Sequence, residues 1–288
     1  MLSARTDSNP KLTRDRFLDG RLTIVQPASG PRAAIDALFL AAAVPAQTGK
    51  AHKVLEAGSG TGVVSLAICT RVKDALITGV EVQRELAALA RENAALNGFD
   101  DRCAIIEADV TGSGPALKNA GLLRESFDHV AANPPFYTEG RCREASNPQT
   151  AKAYSAGQGE TEKWIRFLTT MAAPRATLTL IHRAEALPEL LGLLEGRFGG
   201  IAVYPLFPRE GEPAKRILVQ GIKGSRAPVE LLPGMVLHKP NGDYTESADA
   251  VLRGLAGLTL SKLKKLKTED RRFRGAGARR SSRARAAK

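Results

Sequence analysis

Four residues, Asn133-Pro134-Pro135-Phe136, stand where an apolar, strand-like run from Phe127 to Ala132 ends. A conjugated amine is a poor nucleophile because its lone pair is delocalised into the ring. The Asn133 side-chain oxygen and the Pro134 carbonyl can both accept its hydrogens and so aim the lone pair at an electrophile. Consecutive prolines stiffen the loop that does this, and Phe136 is the ring on which a planar acceptor would stack. Alone, such a match is also an ordinary proline-rich turn; what stands upstream decides between the two. Glu56-Ala57-Gly58-Ser59-Gly60-Thr61-Gly62 ends another strand-like run and opens a helix. Glycines there let the backbone turn sharply and let a ligand approach without meeting a Cβ. Glu81 ends the next strand, 23 residues beyond Gly58, where an acid accepts hydrogen bonds from both ribose hydroxyls. Asp109 ends the third strand, in position to accept from an adenine amino group. The chemistry this set supports is methyl transfer onto an exocyclic nitrogen beside a nucleotide-like cofactor.

Elements that would position these residues follow from periodicity. Strands are expected at Lys53 to Ala57, Ala75 to Val82, Cys103 to Glu107, Phe127 to Ala132 and Thr177 to His182. Between or after them lie helices opening at Thr61-Gly62, at Arg84 to Leu96, around Glu162 to Ala172 and at Glu185 to Leu194. Asn97-Gly98 is a helix stop, because both residues tolerate the left-handed conformation. Strand and helix alternation gives an α/β, doubly wound, mostly parallel sheet. The runs Ile201 to Phe207 and Ile217 to Ile222, with no helix between them, should close it as an antiparallel hairpin. Ligands bind such sheets beyond the carboxyl ends of the strands, where the strand order reverses. Upstream, Arg21 to Val25 reads as a short strand, Gln26 to Pro31 as a turn, and Arg32 to Val44 as a helix ended by Pro45. Residues 1–17 read as a flexible arm, 18–258 as one catalytic domain, and 259–288 as a basic tail without fixed structure.

Charge sharpens that division. From Thr259 onward, twelve Lys and Arg face only Glu269 and Asp270, so this stretch carries +10 of the net +12. A flexible polycation binds phosphates without needing a fold, which makes RNA the expected partner. Cys69, Cys103 and Cys142 have neither disulfide nor zinc-ligand spacing, so no metal is expected and a reducing cytoplasm fits. The longest apolar run, Ala37 to Ala46, contains Pro45 and falls short of the ~20 residues that cross a bilayer. The four histidines are scattered and take no role; Trp164 and Phe167 are expected to pack against the sheet.

Glycine loop, strand-end acids and NPPF in this order resemble the class I S-adenosylmethionine-dependent methyltransferases that modify amino groups. More narrowly, Gln26-Pro27, Gly30 and Asp36-Ala37-Leu38-Phe39-Leu40, with Pro213 to Val219 and Asp243-Tyr244-Thr245, resemble the bacterial tRNA1(Val) adenine-37 N6-methyltransferase family. The likeness spans about residues 18–256. It implies a Rossmann-like, seven-stranded methyltransferase fold, S-adenosylmethionine as cofactor, and transfer to the N6 of an adenine in RNA, with tRNA as the expected RNA. It further implies a cofactor set of Asp36, Glu56, Gly58, Gly60, Gly62, Glu81, Val82, Asp109, Val110 and Asn133, beside the catalytic Asn133, Pro134, Pro135 and Phe136. Asp36 would face the amino-acid end of the donor; otherwise it is an exposed helix charge. Three other functions share parts of the pattern: a release-factor glutamine N5-methyltransferase, a guanine-N2 methyltransferase of ribosomal RNA, and a nucleic-acid-binding protein with a decayed cofactor site.

Overall fold

In the computed structural model, which describes residues 11–29, 35–45, 52–135 and 159–260, the chain opens with an antiparallel pair, β1 (Leu12–Phe17) and β2 (Leu22–Pro27). This corrects two expectations: residues 12–17 are strand rather than a flexible arm, and Gln26-Pro27 ends a strand rather than starting a turn. With only Phe17 large and apolar on the inward side of β1, hydrophobic alternation is too faint to read. Residues 1–10 of the expected arm lie outside the described residues.

Helix α1 (Ile35–Ala43) follows, and then β3 (His52–Ala57), α2 (Val63–Arg71), β4 (Ala75–Glu81), α3 (Arg84–Leu96), β5 (Cys103–Glu107), α4 (Gly114–Asn119) and β6 (Phe127–Ala132). Beyond the undescribed stretch 136–158 come α5 (Glu160–Met171), β7 (Ala172–Arg183), a single 3-10 turn, α6 (Leu187–Leu194), β8 (Phe198–Phe207), β9 (Arg216–Lys223), the short β10 (Glu230–Leu231) and β11 (Met235–Val236), and α7 (Glu246–Leu252).

The main sheet has the order β10-β8-β9-β7-β6-β3-β4-β5, with β11 also on β8. Seven long strands form its body, as expected; β3 to β7 are parallel, and β9 runs antiparallel to both β7 and β8. From β3 the chain steps outward to β4 and β5, then returns to the other side of β3 as β6. The strand order therefore reverses between β3 and β6, where Ala57 pairs with Ala132. Gly58 and Asn133 are the next residue of each strand.

Parallel strands buried on both faces need apolar residues at nearly every position. On β3, Val54 enters one core with α1, α2 and α3, while Leu55 and Ala57 enter a second with α5 and α6. The carbonyls that α1 leaves unpaired at its end are taken from elsewhere in the chain: Arg71 donates to Ala41 O at 2.9 Å, Leu258 N to Ala42 O at 2.8 Å and Gln220 Nε2 to Ala43 O at 2.9 Å. At the end of α3 only Gly98 (φ 68) is left-handed, while Asn97 stays at φ −101 and spends its amide on Thr23.

Two helices escape periodicity because they are short. Each carries a local start signal: Ser113 caps α4 with Pro in its first turn, and Thr245 caps α7 by accepting from Ala248 N at 3.3 Å. Strand β7 begins five residues earlier than expected, at Ala172; Pro174 and left-handed Arg175 (φ 67) disguise that start, and the register with β6 shifts there.

Candidate active site

The glycine loop turns on three left-handed residues, Gly58 (φ 71), Gly60 (φ 54) and Gly62 (φ 89), and both Gly58 N and Ser59 N donate to Val80 O, at 2.8 and 3.0 Å. Their reasons for being glycine differ. A Cβ on Gly58 would lie 2.5 Å from the Trp164 ring, and one on Gly62 would lie 3.3 Å from the Ala90 Cβ. One on Gly60 would meet nothing. Thus the room expected for a ligand is at Gly60, whereas Gly58 makes room for an indole. Phe167 is buried in the core on that face, as expected, but Trp164 is only partly buried and rests on the loop.

Glu81 is buried at the end of β4 and bridges two turns: Oε2 accepts from Gly60 N at 2.8 Å and Oε1 from Gln83 N at 2.9 Å. Burial raises its pKa, against the lowering effect of those amides. Each carboxylate oxygen has a second lone pair, so it can accept more. Beside it Val82 is 58% exposed, an apolar side chain held in the open at the strand end. Asp109, also exposed, accepts from Thr111 N and Thr111 Oγ1, both at 2.8 Å through Oδ1; Val110 is buried behind it.

Glu56 braces the start of α2. Its Oε2 accepts from Ser65 N at 2.9 Å and from the Ser65 hydroxyl in the first turn of α2, and burial pushes its carboxyl up to about 8. Asp36 is buried near the start of α1 and accepts from Arg216 Nε at 2.7 Å. Two of the motifs that carried the resemblance thus meet as one ion pair.

At the end of β6, Asn133 Oδ1 is buried without a hydrogen-bond partner among the described residues, and Pro134 is buried next to it. Buried carbonyl oxygens almost always find a donor; this one is left open beside the glycine loop. Phe136 and Cys142 lie outside the described residues. No group of three or more metal-ligating side chains occurs among the described residues, and none of their helices is long and apolar enough to cross a membrane.

Asn93 is a further residue that sequence reading missed. Wholly buried on α3, it donates through Nδ2 to Thr61 O and to Val25 O, both at 2.9 Å, and accepts from Val25 N at 2.8 Å. An amide among the alanines of an inward helix face was the available signal.

A family model described as the methyltransferase small domain matches residues 32–152. A tRNA1(Val) (adenine(37)-N6)-methyltransferase of Porphyromonas gingivalis is 30% identical over 179 residues, 61% of this chain and 68% of that protein. The chain belongs to this methyltransferase family. A tRNA1(Val) (adenine(37)-N6)-methyltransferase of Aeromonas hydrophila is 24% identical over 213 residues, 73% of this chain and 84% of the relative. A crystal structure described as a predicted O-methyltransferase from Agrobacterium tumefaciens superposes with a TM-score of 0.66 at 31% identity, covering 78% of this chain and 98% of that one. The methyltransferase is therefore an enzyme on a Rossmann-like fold, and its cofactor is S-adenosylmethionine.

Proposed function

We propose that this methyltransferase modifies the N6 amino group of an adenine in RNA, and that the RNA is tRNA. The single observation that carries this reading is the buried, unpartnered Asn133 Oδ1 at the strand-order reversal, one residue beyond a strand paired with the one that ends in the glycine loop. An acceptor oxygen kept dry and unpaired awaits a donor, and an exocyclic N–H is such a donor. The names of the relatives, which specify adenine-37 of tRNA1(Val), support the same acceptor class.

The residues fit the cofactor. Gly60 leaves open space, Glu81 has lone pairs for the ribose hydroxyls, and exposed Val82 and Asp109 offer an apolar side and an acceptor for adenine. When bound, S-adenosylmethionine supplies an electrophilic methyl group. Asn133 Oδ1 and the Pro134 carbonyl then hold the amine's two hydrogens, fix its lone pair, and stabilise the positive charge that grows on nitrogen. The adenine must leave its stack to reach them, at about a few kcal/mol and less in a single-stranded loop. The basic tail, of which only Thr259 and Leu260 are described, would hold the RNA body by its phosphates.

Incubation with methyl-labelled donor and separate pools of tRNA, ribosomal RNA and protein, followed by nucleoside analysis, tests the reading. Label in N6-methyladenosine from tRNA is the expected result. Label in guanosine or in protein would replace it.

A further inference from the structure

The opening hairpin sorts its side chains by face. Register pairs Arg14 with Val25 and Arg16 with Thr23 on one side, and Thr13 with Gln26, Asp15 with Ile24 and Phe17 with Leu22 on the other. Because strand side chains alternate, every charge of β1 is thereby assigned a side. Arg14 and Arg16 are exposed on the outer one. The acid, Asp15, is on the inner one, where its Oδ2 accepts from Gln26 Nε2 at 2.7 Å and from Thr13 Oγ1 at 3.1 Å. The outward side of β1 thus shows two arginines and no carboxylate. Their Cα atoms are about 6.7 Å apart along the strand, an interval close to that of neighbouring phosphates in a nucleic acid, and arginine's planar fork suits a phosphate's paired oxygens.

The hairpin is also fixed to the catalytic body in an uncommon way. Asn93 and Asn97, one helical turn apart on α3, bond the free edge of β2 as another strand would. Asn93 exchanges hydrogen bonds with Val25, and Asn97 accepts from Thr23 N at 2.9 Å and donates to Thr23 O at 2.7 Å. Asn93 also holds Thr61 O in the glycine loop at 2.9 Å. Asn93 therefore ties the hairpin directly to the donor loop. A surface registered in this way can hold a substrate at a fixed offset from the methyl donor.

We propose that the outer face of the hairpin, through Arg14 and Arg16, is a docking surface for the phosphate backbone of the RNA acceptor. The proposal rests on RNA being the substrate, and it adds a contact that is separate from the basic tail and is placed by the fold.

The test uses the full-length protein, since the tail must be present in every arm. Affinity for unmodified tRNA is measured across a salt series for wild type, for Arg14→Gln/Arg16→Gln, and for Arg14→Glu, which leaves the Arg16 guanidinium over Gly20 undisturbed. Each lost phosphate contact should lower the slope of log affinity against log salt by about 0.7–0.9, so the double variant should lose about 1.4–1.8. Its KM for tRNA should rise about ten-fold at low salt with kcat at saturating tRNA unchanged. Arg14→Glu should weaken binding in the same direction. Affinity for S-adenosylhomocysteine, measured without RNA, should stay at the wild-type value in both. A double variant that binds S-adenosylhomocysteine normally and keeps the wild-type salt slope overturns the docking surface while leaving the substrate assignment standing. Wild-type protein that binds no RNA at any salt overturns the substrate assignment, and the docking surface with it.

Discussion

The carboxyl ends of β4 and β6 lie on opposite sides of β3, yet they are prepared differently. At β4 both oxygens of Glu81 already accept backbone amides, from Gly60 and Gln83, so the donor side holds its shape by itself. At β6 the Asn133 oxygen is buried with nothing to accept. An unmade buried hydrogen bond costs about 1–3 kcal/mol, and such a cost persists where function needs the group. Apart from the Ser59 hydroxyl of the loop, which is also buried without a partner among the described residues, the contrast divides the site into a half that is structural before it is functional and a half that is functional at structural expense. Substitutions should therefore separate: donor-side changes lose stability and affinity together, acceptor-side changes lose only turnover.

Asn133→Ala is the most severe case. Turnover should fall by about 10²–10³-fold, the range seen when one preorganised polar contact to a reacting group is removed. Donor affinity should hold, and Tm should not drop, because the side chain removed carries the unsatisfied oxygen. Single-turnover rates, calorimetric titration with S-adenosylhomocysteine and thermal unfolding on the same preparation check all three; a wild-type rate would remove Asn133 from the chemistry. Glu81→Ala should behave as its opposite. Loss of charge-assisted contacts should weaken donor binding by about 1.5–3 kcal/mol, and the Gly60 and Gln83 amides left without their acceptor should lower Tm as well. Unchanged stability with weakened binding would mean that Glu81 does not brace the loop.

Within the donor side the loop glycines offer a finer division. Gly58→Ala must force a methyl into the Trp164 ring and keep a left-handed backbone, so it should destabilise the fold by about 2–4 kcal/mol. Gly60→Ala meets only the backbone strain, about 1–2 kcal/mol, but places its methyl in the open space of the loop and should lose donor affinity. Urea unfolding with and without S-adenosylhomocysteine separates them. Trp164 is the sole tryptophan, so its emission also reports the loop directly. Equal destabilisation by the two alanines would mean that the indole yields.

The legible parts of this design were those written in periodicity or in a motif at a strand end. Both cores and the central alternation followed from apolar spacing, and α3 and β5 begin and end where expected. Gly58, Glu81 and Asn133 could be placed because each ends a strand or directly follows one, and Asp109 lies two residues past β5. Contacts between segments far apart in sequence could not be read this way. Nothing local to Asn93 says that its amide reaches the backbone of Val25 and Thr61 at once, and nothing local to Trp164 says that its ring fills the space beside Gly58. Glu56, read as part of the cofactor set from its motif, turns toward Ser65, because the helix start it precedes offers an amide and a hydroxyl to a buried carboxyl. The β1 strand was hidden because Phe17 alone on its inward side is large and apolar.

That turned-in carboxyl gives the smallest expected effect and a test of how self-contained the donor side is. Burial raises Glu56 from 4.5 to about 8, so the folded protein keeps a proton that the unfolded chain releases above the lower value. A raised folded pKa contributes stability that is complete at low pH and lost as pH climbs through the folded value, so the protein should weaken between about pH 7 and pH 8 by up to ~1.4 kcal/mol and then level off. Glu81 is raised by burial as well, a shift that wild type and variant share. The buried imidazoles of His129 and His182 are depressed to about 3 and about 4, so they stay neutral in the fold throughout that window; the partly protonated imidazoles of the unfolded chain near pH 7 give a small opposing slope that wild type and variant share. Glu56→Gln keeps a neutral acceptor for Ser65 and has no proton to lose. Urea unfolding at about pH 7 and at about pH 8.5 should therefore show a smaller decline in the variant than in wild type. Identical declines would mean that the Glu56 carboxyl ionises without cost, and that the start of α2 is open to water rather than sealed behind the glycine loop.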